Sequence, residues 1–395
     1  MMAMGPARQQ TDPADLVALG ADLADEELLT QRKVRDFIDR RVLPYIEEWF
    51  EEGIFPRQLV PELGQLGVLG MHLEGYGCAN SGAVSYGLTC LELEAGDSAL
   101  RSFASVQGSL AMFAIWKYGS EEQKQHYLPA MAAGQMVGCF ALTEPDAGSD
   151  PAAMQTRAKR DGRDWVLDGH KRWVTNGSIA DIAVIWAKAE EGIRGFLLPS
   201  GSPGAVVTEI RGKWSLRASV SSEIVLDSCR LPEDAVLPVA LGLRAPLSCL
   251  DEARFGIIWG ALGAARACYE AALSLSLQRV EFGRPIAAFQ LTQAKLVDMA
   301  LELEKGLLLA YHLGRLKETG QLTPPQVSVG KLNSTREALK IAHTARTILG
   351  ANGVTRAYPV MRHAANLESV LTYEGTSEVH QLAIGRALTG ISAFS

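Results

Sequence analysis

The chain has 395 residues, 47% of them hydrophobic and 21% charged, with 38 Gly and 17 Pro, which excludes collagen-like and disordered classes. With 38 Lys+Arg against 45 Asp+Glu the formal charge is −7, which argues against a non-specific nucleic-acid binder because such a protein needs a basic face. The longest uncharged stretches, such as residues 102–116 and 128–143, are short and carry Gly, Gln, Ser or Pro, so none reads as a membrane span.

Residues 1–24 read as a tail. No apolar segment follows the first residues, and Asp12, Asp15, Asp22 and Asp25 do not suit a transit peptide. Residues 25–136 carry helical periodicity. Val34, Phe37, Ile38 and Val42 recur at three and four within 26–50, and Pro44 predicts a kink or break there. Further helices are expected over 59–69, 85–94, 100–118 and 121–132, the last after a Gly-Ser cap signal.

The texture changes over residues 137–242. Short β-rich runs start at Trp165, Arg172, Ile182, Gly195, Ala205 and Glu223, punctuated by Gly, Asp, Asn and Pro. They predict a small barrel or sandwich, with no helices alternating between strands. From 243 to 395 long amphipathic helices return and suit a four-helix bundle that also packs on a partner subunit. There Ser334-Thr-Arg-Glu337 has the form of a capping box opening a helix that Gly350 ends. The fold class is therefore α+β multidomain, built as helical, β and helical units.

Six scattered cysteines form no CxxC, and seven scattered histidines form no HExxH or helical pair. Neither a disulfide scaffold nor a metal site is indicated, and a reducing cytoplasm is expected. No GxGxxG after a strand, GxxxxGK[ST] or GxSxG occurs, so any flavin or CoA site must be built otherwise.

Three segments carry candidate chemistry. Leu142-Thr-Glu-Pro-Asp-Ala-Gly-Ser-Asp150 offers hydroxyls at Thr143 and Ser149 and close backbone approach at Gly148, although such loops are commonly plain turns. Lys171-Arg-Trp-Val-Thr-Asn-Gly177 puts Trp173 and Thr175 on one strand face, where they flank a flat heterocycle or belong to a core. Thr372-Tyr-Glu-Gly-Thr-Ser-Glu378 places Glu374 at the foot of a helix. There it is either a partner of the helix dipole or a general base whose apolar surroundings raise its pKa.

The order LTEPDAGSD, RWVTN, RVEFG, ILGANG and YEGT resembles the acyl-CoA dehydrogenase family from about residue 25 to the C-terminus. Within it the likeness is greatest to the glutaryl-CoA-specific members, through Gly75–Ala79, Asp97–Ser102, Ser105-Val-Gln, Ile193–Leu197, Lys213–Ser219 and Thr372–Thr376. The resemblance implies a tetramer with FAD held between subunits. It assigns Leu142, Thr143, Trp173 and Thr175 to the flavin, and Gly148 and Ser149 to the phosphates and the CoA entry. Arg279 and Phe282 would reach the FAD of a neighbouring subunit, with Gln290, Gly350 and Gly353 nearby, and Thr376 and Glu378 would close the site. The sequence departs from many relatives at Thr347 and Ala351, where they carry Gln and Gly.

By the same resemblance Glu374 is the catalytic base, Tyr373 lies with the substrate, and Asp251 and Arg254 are the CoA-side and base-side polar residues. Arg101 lies in an otherwise apolar helix. By itself it reads as a surface arginine at a helix start, yet a helix's first turn is a poor place for a cation, and a guanidinium suits a carboxylate. The resemblance makes Arg101, Ser105 and Glu94 the residues that hold a distal carboxylate. The expected activity is FAD-dependent dehydrogenation of glutaryl-CoA with loss of CO₂ to crotonyl-CoA, electrons passing to an electron-transfer flavoprotein. The rivals are a short-chain monocarboxylic acyl-CoA dehydrogenase and a flavin-binding scaffold without turnover.

Overall fold

The computed structural model describes Pro13 and residues 15–394, so residues 1–12 and 14 of the expected tail lie outside the described residues. Helix α1 (Asp25–Phe37) begins where the Glu27 carboxylate accepts from the Ala24 N–H at 2.8 Å. It runs into a π-helical turn, Ile38–Val42, before α2 (Ile46–Glu52), so Pro44 falls in a true break. The segment expected as one helix over 59–69 is shorter: a 3₁₀ turn, Arg57–Leu59, leads into α3 (Val60–Gln65). Helix α4 (Ala83–Gly96) is buried on nearly every side, as its apolar composition requires. Then follow α5 (Ser98–Ser105), a π-helical stretch Val106–Met112, α6 (Phe113–Tyr118) and α7 (Glu121–Ala132). The Gly-Ser signal starts α7 as expected, with Ser120 and Gln123 exchanging side-chain-to-backbone bonds.

The middle of the chain forms one seven-stranded sheet from β1 (Gly138–Ala141), β2 (Arg157–Asp161), β3 (Asp164–Thr175), β4 (Ile182–Ala189), β5 (Gly192–Pro199), β6 (Ala205–Glu209) and β7 (Ser221–Leu231). The strand order is β1-β4-β2-β3-β7-β6, with β5 paired to β4. Strand β3 bulges between Lys171 and Val174, where Trp173 takes a left-handed φ of 59°.

The C-terminal helices are α8 (Arg244–Gln278), α9 (Gln290–Glu318), α10 (Pro324–Leu349), α11 (Val360–Thr372) and α12 (Ser377–Thr389). Helix α8 crosses α4 at a glycine contact: a Cβ on Gly263 would lie 1.9 Å from the Leu91 carbonyl oxygen. Gly350 does end α10, but the Ser334–Glu337 pattern does not open it. The helix starts ten residues earlier at Pro324, with Thr323 and Gln326 as the capping box and Ser334 buried in its middle. Pro324 supplies the preset φ of a first helical position, and the intervening Gly330 breaks nothing because it packs against Ile258 and Leu313.

Candidate functional site

Helices α11 and α12 are joined by a four-residue link, Tyr373–Thr376, and Thr376 caps α12 by accepting from Val379 N at 3.4 Å. Within the link Glu374 adopts φ 54° and Gly375 φ 100°. Gly375 has no room for a side chain, since a Cβ would come 2.9 Å from His380 Nε2. Two cations hold the carbonyls of this turn. Lys331 Nζ, from α10, donates to Tyr373 O and to Gly375 O, each at 2.6 Å. Arg254 Nε, from α8, donates to Glu374 O at 2.8 Å and is itself paired with Asp251 at 2.8 Å.

Among the described residues the Glu374 side chain accepts no hydrogen bond, and its Oε2 is buried without a partner. Burial pushes its pKa up, while Arg101, Lys331 and Arg254 oppose that shift. This is the environment of a general base: apolar enough to hold a proton, yet charged enough to release it.

Arg101 is fully buried, contrary to the surface reading. Its Nε donates to Glu94 Oε2 at 2.6 Å, its Nη2 to the Tyr373 hydroxyl, and its guanidinium lies 5.6 Å from the Tyr373 ring centroid. Glu94 also accepts from Ser98 Oγ at 2.8 Å. What remains is Arg101 Nη1, buried and without a partner among the described residues, as is Ser105 Oγ one helical turn further on α5. The start of α5 is anchored to α11: the Asp97 carboxylate accepts from Ala99 N at 2.8 Å, Arg362 Nη1 at 2.6 Å and Asn366 Nδ2 at 2.9 Å. The same tie that places Arg101 therefore also places the helix leading to Glu374.

The β-sheet brings a second group together. Lys171 Nζ, buried, donates to Glu144 at 2.8 Å and to Leu142 O at 3.0 Å, and Arg172 N donates to Thr143 O at 2.9 Å. Loop 142–150 is thus pinned beside the end of β3. Burial lowers the Lys171 pKa to about 8 despite its Glu144 partner. Trp173, at the bulge, is 53% exposed with Arg172 packed 5.3 Å from its ring, and Thr175 is half-buried two residues on. The two therefore flank a bulge end rather than a regular strand face. Among the described residues the hydroxyls of Thr143 and Thr175 make no hydrogen bond. Gly148 and Ser149 are exposed, and a Cβ on Gly148 would meet nothing within 4 Å.

A third group lies at the turn from α8 to α9, apart from the Glu374 cluster. Phe282, at φ 51°, is 94% exposed, Arg279 is paired with Glu281, and Gln290 is exposed. Phe282 lines a groove with Ile286, Phe289, Leu291, Lys295 and Thr347. Gly350 is exposed and Gly353 buried at the end of α10, and Glu378 is exposed in the first turn of α12.

Sequence reasoning missed Lys331, the Glu144–Lys171 pair, and Asp97 with Arg362. A signal existed for Lys331, which interrupts the apolar stripe Val327, Ala338, Ile341 and Ala345 of α10. The others are buried pairs made across long sequence separations, which no local pattern reveals.

The chain matches the models described as acyl-CoA dehydrogenase N-terminal domain over residues 24–135, middle domain over 139–229 and C-terminal domain over 241–389. A crystal structure of glutaryl-CoA dehydrogenase from Mycobacterium smegmatis is 61% identical, with TM-score 0.96, covering 98% of this chain and 100% of that one. Another from the same organism, in complex with FADH2, is 57% identical with TM-score 0.97, again over 98% and 100%. The human short-chain specific acyl-CoA dehydrogenase is 33% identical over 394 residues, covering 97% of this chain and 96% of that protein.

Proposed function

Because the chain belongs to the acyl-CoA dehydrogenase family, we propose that it oxidises the α–β bond of glutaryl-CoA with FAD and releases crotonyl-CoA and CO₂, with an electron-transfer flavoprotein as acceptor. The cofactor fits the residues present. Exposed Trp173, the free hydroxyls of Thr143 and Thr175 and the open backbone at Gly148 suit a flat heterocycle with a phosphate tail. Leu142, Ser149, Thr376 and Glu378 would border it, while Arg279, Phe282, Gln290, Gly350 and Gly353 would serve the FAD of a neighbouring subunit in a homotetramer. When bound, FAD supplies the acceptor for the β-hydride.

The observation that carries the substrate is the fully buried Arg101, whose Nη1 has no partner among the described residues, with the likewise unpartnered Ser105 Oγ one turn further along α5. A monocarboxylic acyl chain would leave that buried donor unsatisfied, which is costly. A dicarboxyl thioester would pair it and leave its α-carbon to Glu374. Glu374 removes the α-proton. Its backbone N–H, bonded to no backbone carbonyl, would donate to the thioester oxygen as negative charge develops. Once the α–β double bond exists, the γ-carboxylate can depart as CO₂. The electron pair of the broken C–C bond flows towards the thioester, and Glu374 returns its proton to the γ-carbon. Among the described residues no helix is long and apolar enough to cross a membrane. The six free cysteines suit a reducing cytoplasm.

The test is a panel of glutaryl-, butyryl-, isovaleryl- and hexanoyl-CoA with an artificial electron acceptor and mass analysis of products. Preference for glutaryl-CoA with crotonyl-CoA and CO₂ supports the reading. Preference for butyryl-CoA overturns it in favour of a short-chain enzyme.

A further inference from the structure

Arg101 and Glu374 meet the substrate in the proposed reaction, but the group that shapes Glu374 is Lys331. It is a lysine buried in the apolar stripe of α10, 1% exposed, whose ammonium makes no direct ion pair among the described residues. Its two hydrogen bonds both go to the turn that carries the base, to the carbonyls on either side of Glu374. With Arg254 on the carbonyl between them, three consecutive carbonyls point at two cations. A residue other than glycine at φ 54° is strained by about 1–3 kcal/mol unless its surroundings hold it there.

We propose that Lys331 is a positioning residue for the base: its ammonium, bonded to the two carbonyls that flank Glu374, holds the Tyr373–Gly375 turn so that the Glu374 carboxylate faces the α-carbon. This rests on the activity proposed above. The groups facing this pair are Glu94 of α4, Arg101 of α5, Asp251 and Arg254 of α8, His380 of α12 and Tyr373 of the turn itself. Burial holds His380 neutral, at about 3, and pushes the Tyr373 hydroxyl well above its ordinary value. Burial pushes Lys331 down, while Glu374 opposes that shift. Glu374 in turn is held below where burial alone would put it by Arg101, Lys331 and Arg254. Removing the Lys331 charge therefore raises the pKa of Glu374, and the acid limb of the rate profile moves to higher pH.

Lys331→Met removes both charge and donors, whereas Lys331→Gln removes the charge but keeps two N–H donors on a side chain one bond shorter. Both are compared with the native holoenzyme by anaerobic flavin reduction from pH 5.5 to 9.5. The expected result is an acid limb displaced upwards in both variants, with the rate recovering towards high pH. KM should change little, and the effect should be equal for glutaryl-CoA and butyryl-CoA because both lose the same α-proton. Lys331→Met should in addition lose rate at the alkaline plateau, where Lys331→Gln retains it. If Lys331→Met does not fold, Lys331→Gln alone carries the charge prediction. An unmoved acid limb in a folded, flavin-loaded Lys331→Gln overturns the proposal. If neither glutaryl-CoA nor butyryl-CoA reduces the flavin of the native enzyme, it is the activity assignment that falls.

Discussion

Replacing Arg101 by Met deletes the cation assigned to the distal carboxylate, and the structure sets what must be controlled for. Glu94 is fully buried and paired to Arg101 at 2.6 Å, so the single variant strands a buried carboxylate, a loss of about 3–5 kcal/mol in stability. Arg101→Met is therefore paired with Glu94→Gln, whose amide keeps an oxygen for Ser98. Arg101 is also one of the cations that lower the Glu374 pKa, so the comparison is made on the alkaline plateau of each enzyme. There the loss is that of a charged hydrogen-bonded contact, about 1.5–3 kcal/mol. This corresponds to about 10- to 150-fold in kcat/KM for glutaryl-CoA. For butyryl-CoA, which has nothing for the guanidinium to hold, the rate should be unchanged or improved. Equal losses for the two esters would refute the reasoning and leave a short-chain dehydrogenase.

Gly260 of α8 should reproduce this selectivity without touching a charge. A Cβ there would fall 2.1 Å from Glu94 Oε2 and 3.0 Å from Arg101 Nε, so Gly260→Ala should displace the pair and depress glutaryl-CoA turnover more than butyryl-CoA turnover. Equal effects on both esters would count against it. Stability should fall as pH drops below about 6.5. His72, His363 and His380 are buried, with pKa values driven to about 4, well below normal and about 3, respectively, chiefly by burial. A histidine with a depressed folded pKa binds its proton first in the unfolded chain. Each therefore withdraws about 1.4 kcal/mol per pH unit between its unfolded and folded values. Denaturant titrations of the holoenzyme from pH 7 to 5 check this, and a stability that stays level or rises would contradict it.

The helical–β–helical order was legible because periodicity changes abruptly near residues 137 and 243. Strand β2 was not, since Arg157-Ala-Lys-Arg-Asp161 buries only Ala158 and carries no β signal of its own. The false helix start at Ser334 shows the limit of local capping rules. Ser334 and Thr335 turn inward among α8 and α10 packing, and the hydroxyl of Thr335 bonds back to Lys331 O instead of capping anything. Arg101 was misread as a surface residue by its local pattern, whereas it is fully buried. Its burial depends on Glu94 seven residues earlier, on Tyr373 far along the chain, and on the glycine contact between α4 and α8. The roles of Trp173 and Phe282 were suggested by motif. What local reading could not supply is the left-handed backbone at both positions, which exposes the rings.

Glu374, as the proposed base, is the residue on which the chemistry turns. Glu374→Gln keeps the shape of the side chain and cannot accept a proton. It should fold and bind FAD as the native protein does, yet its flavin should stay oxidised when glutaryl-CoA is added without oxygen, whereas the native flavin bleaches. Bleaching of Glu374→Gln at the native rate would contradict the account.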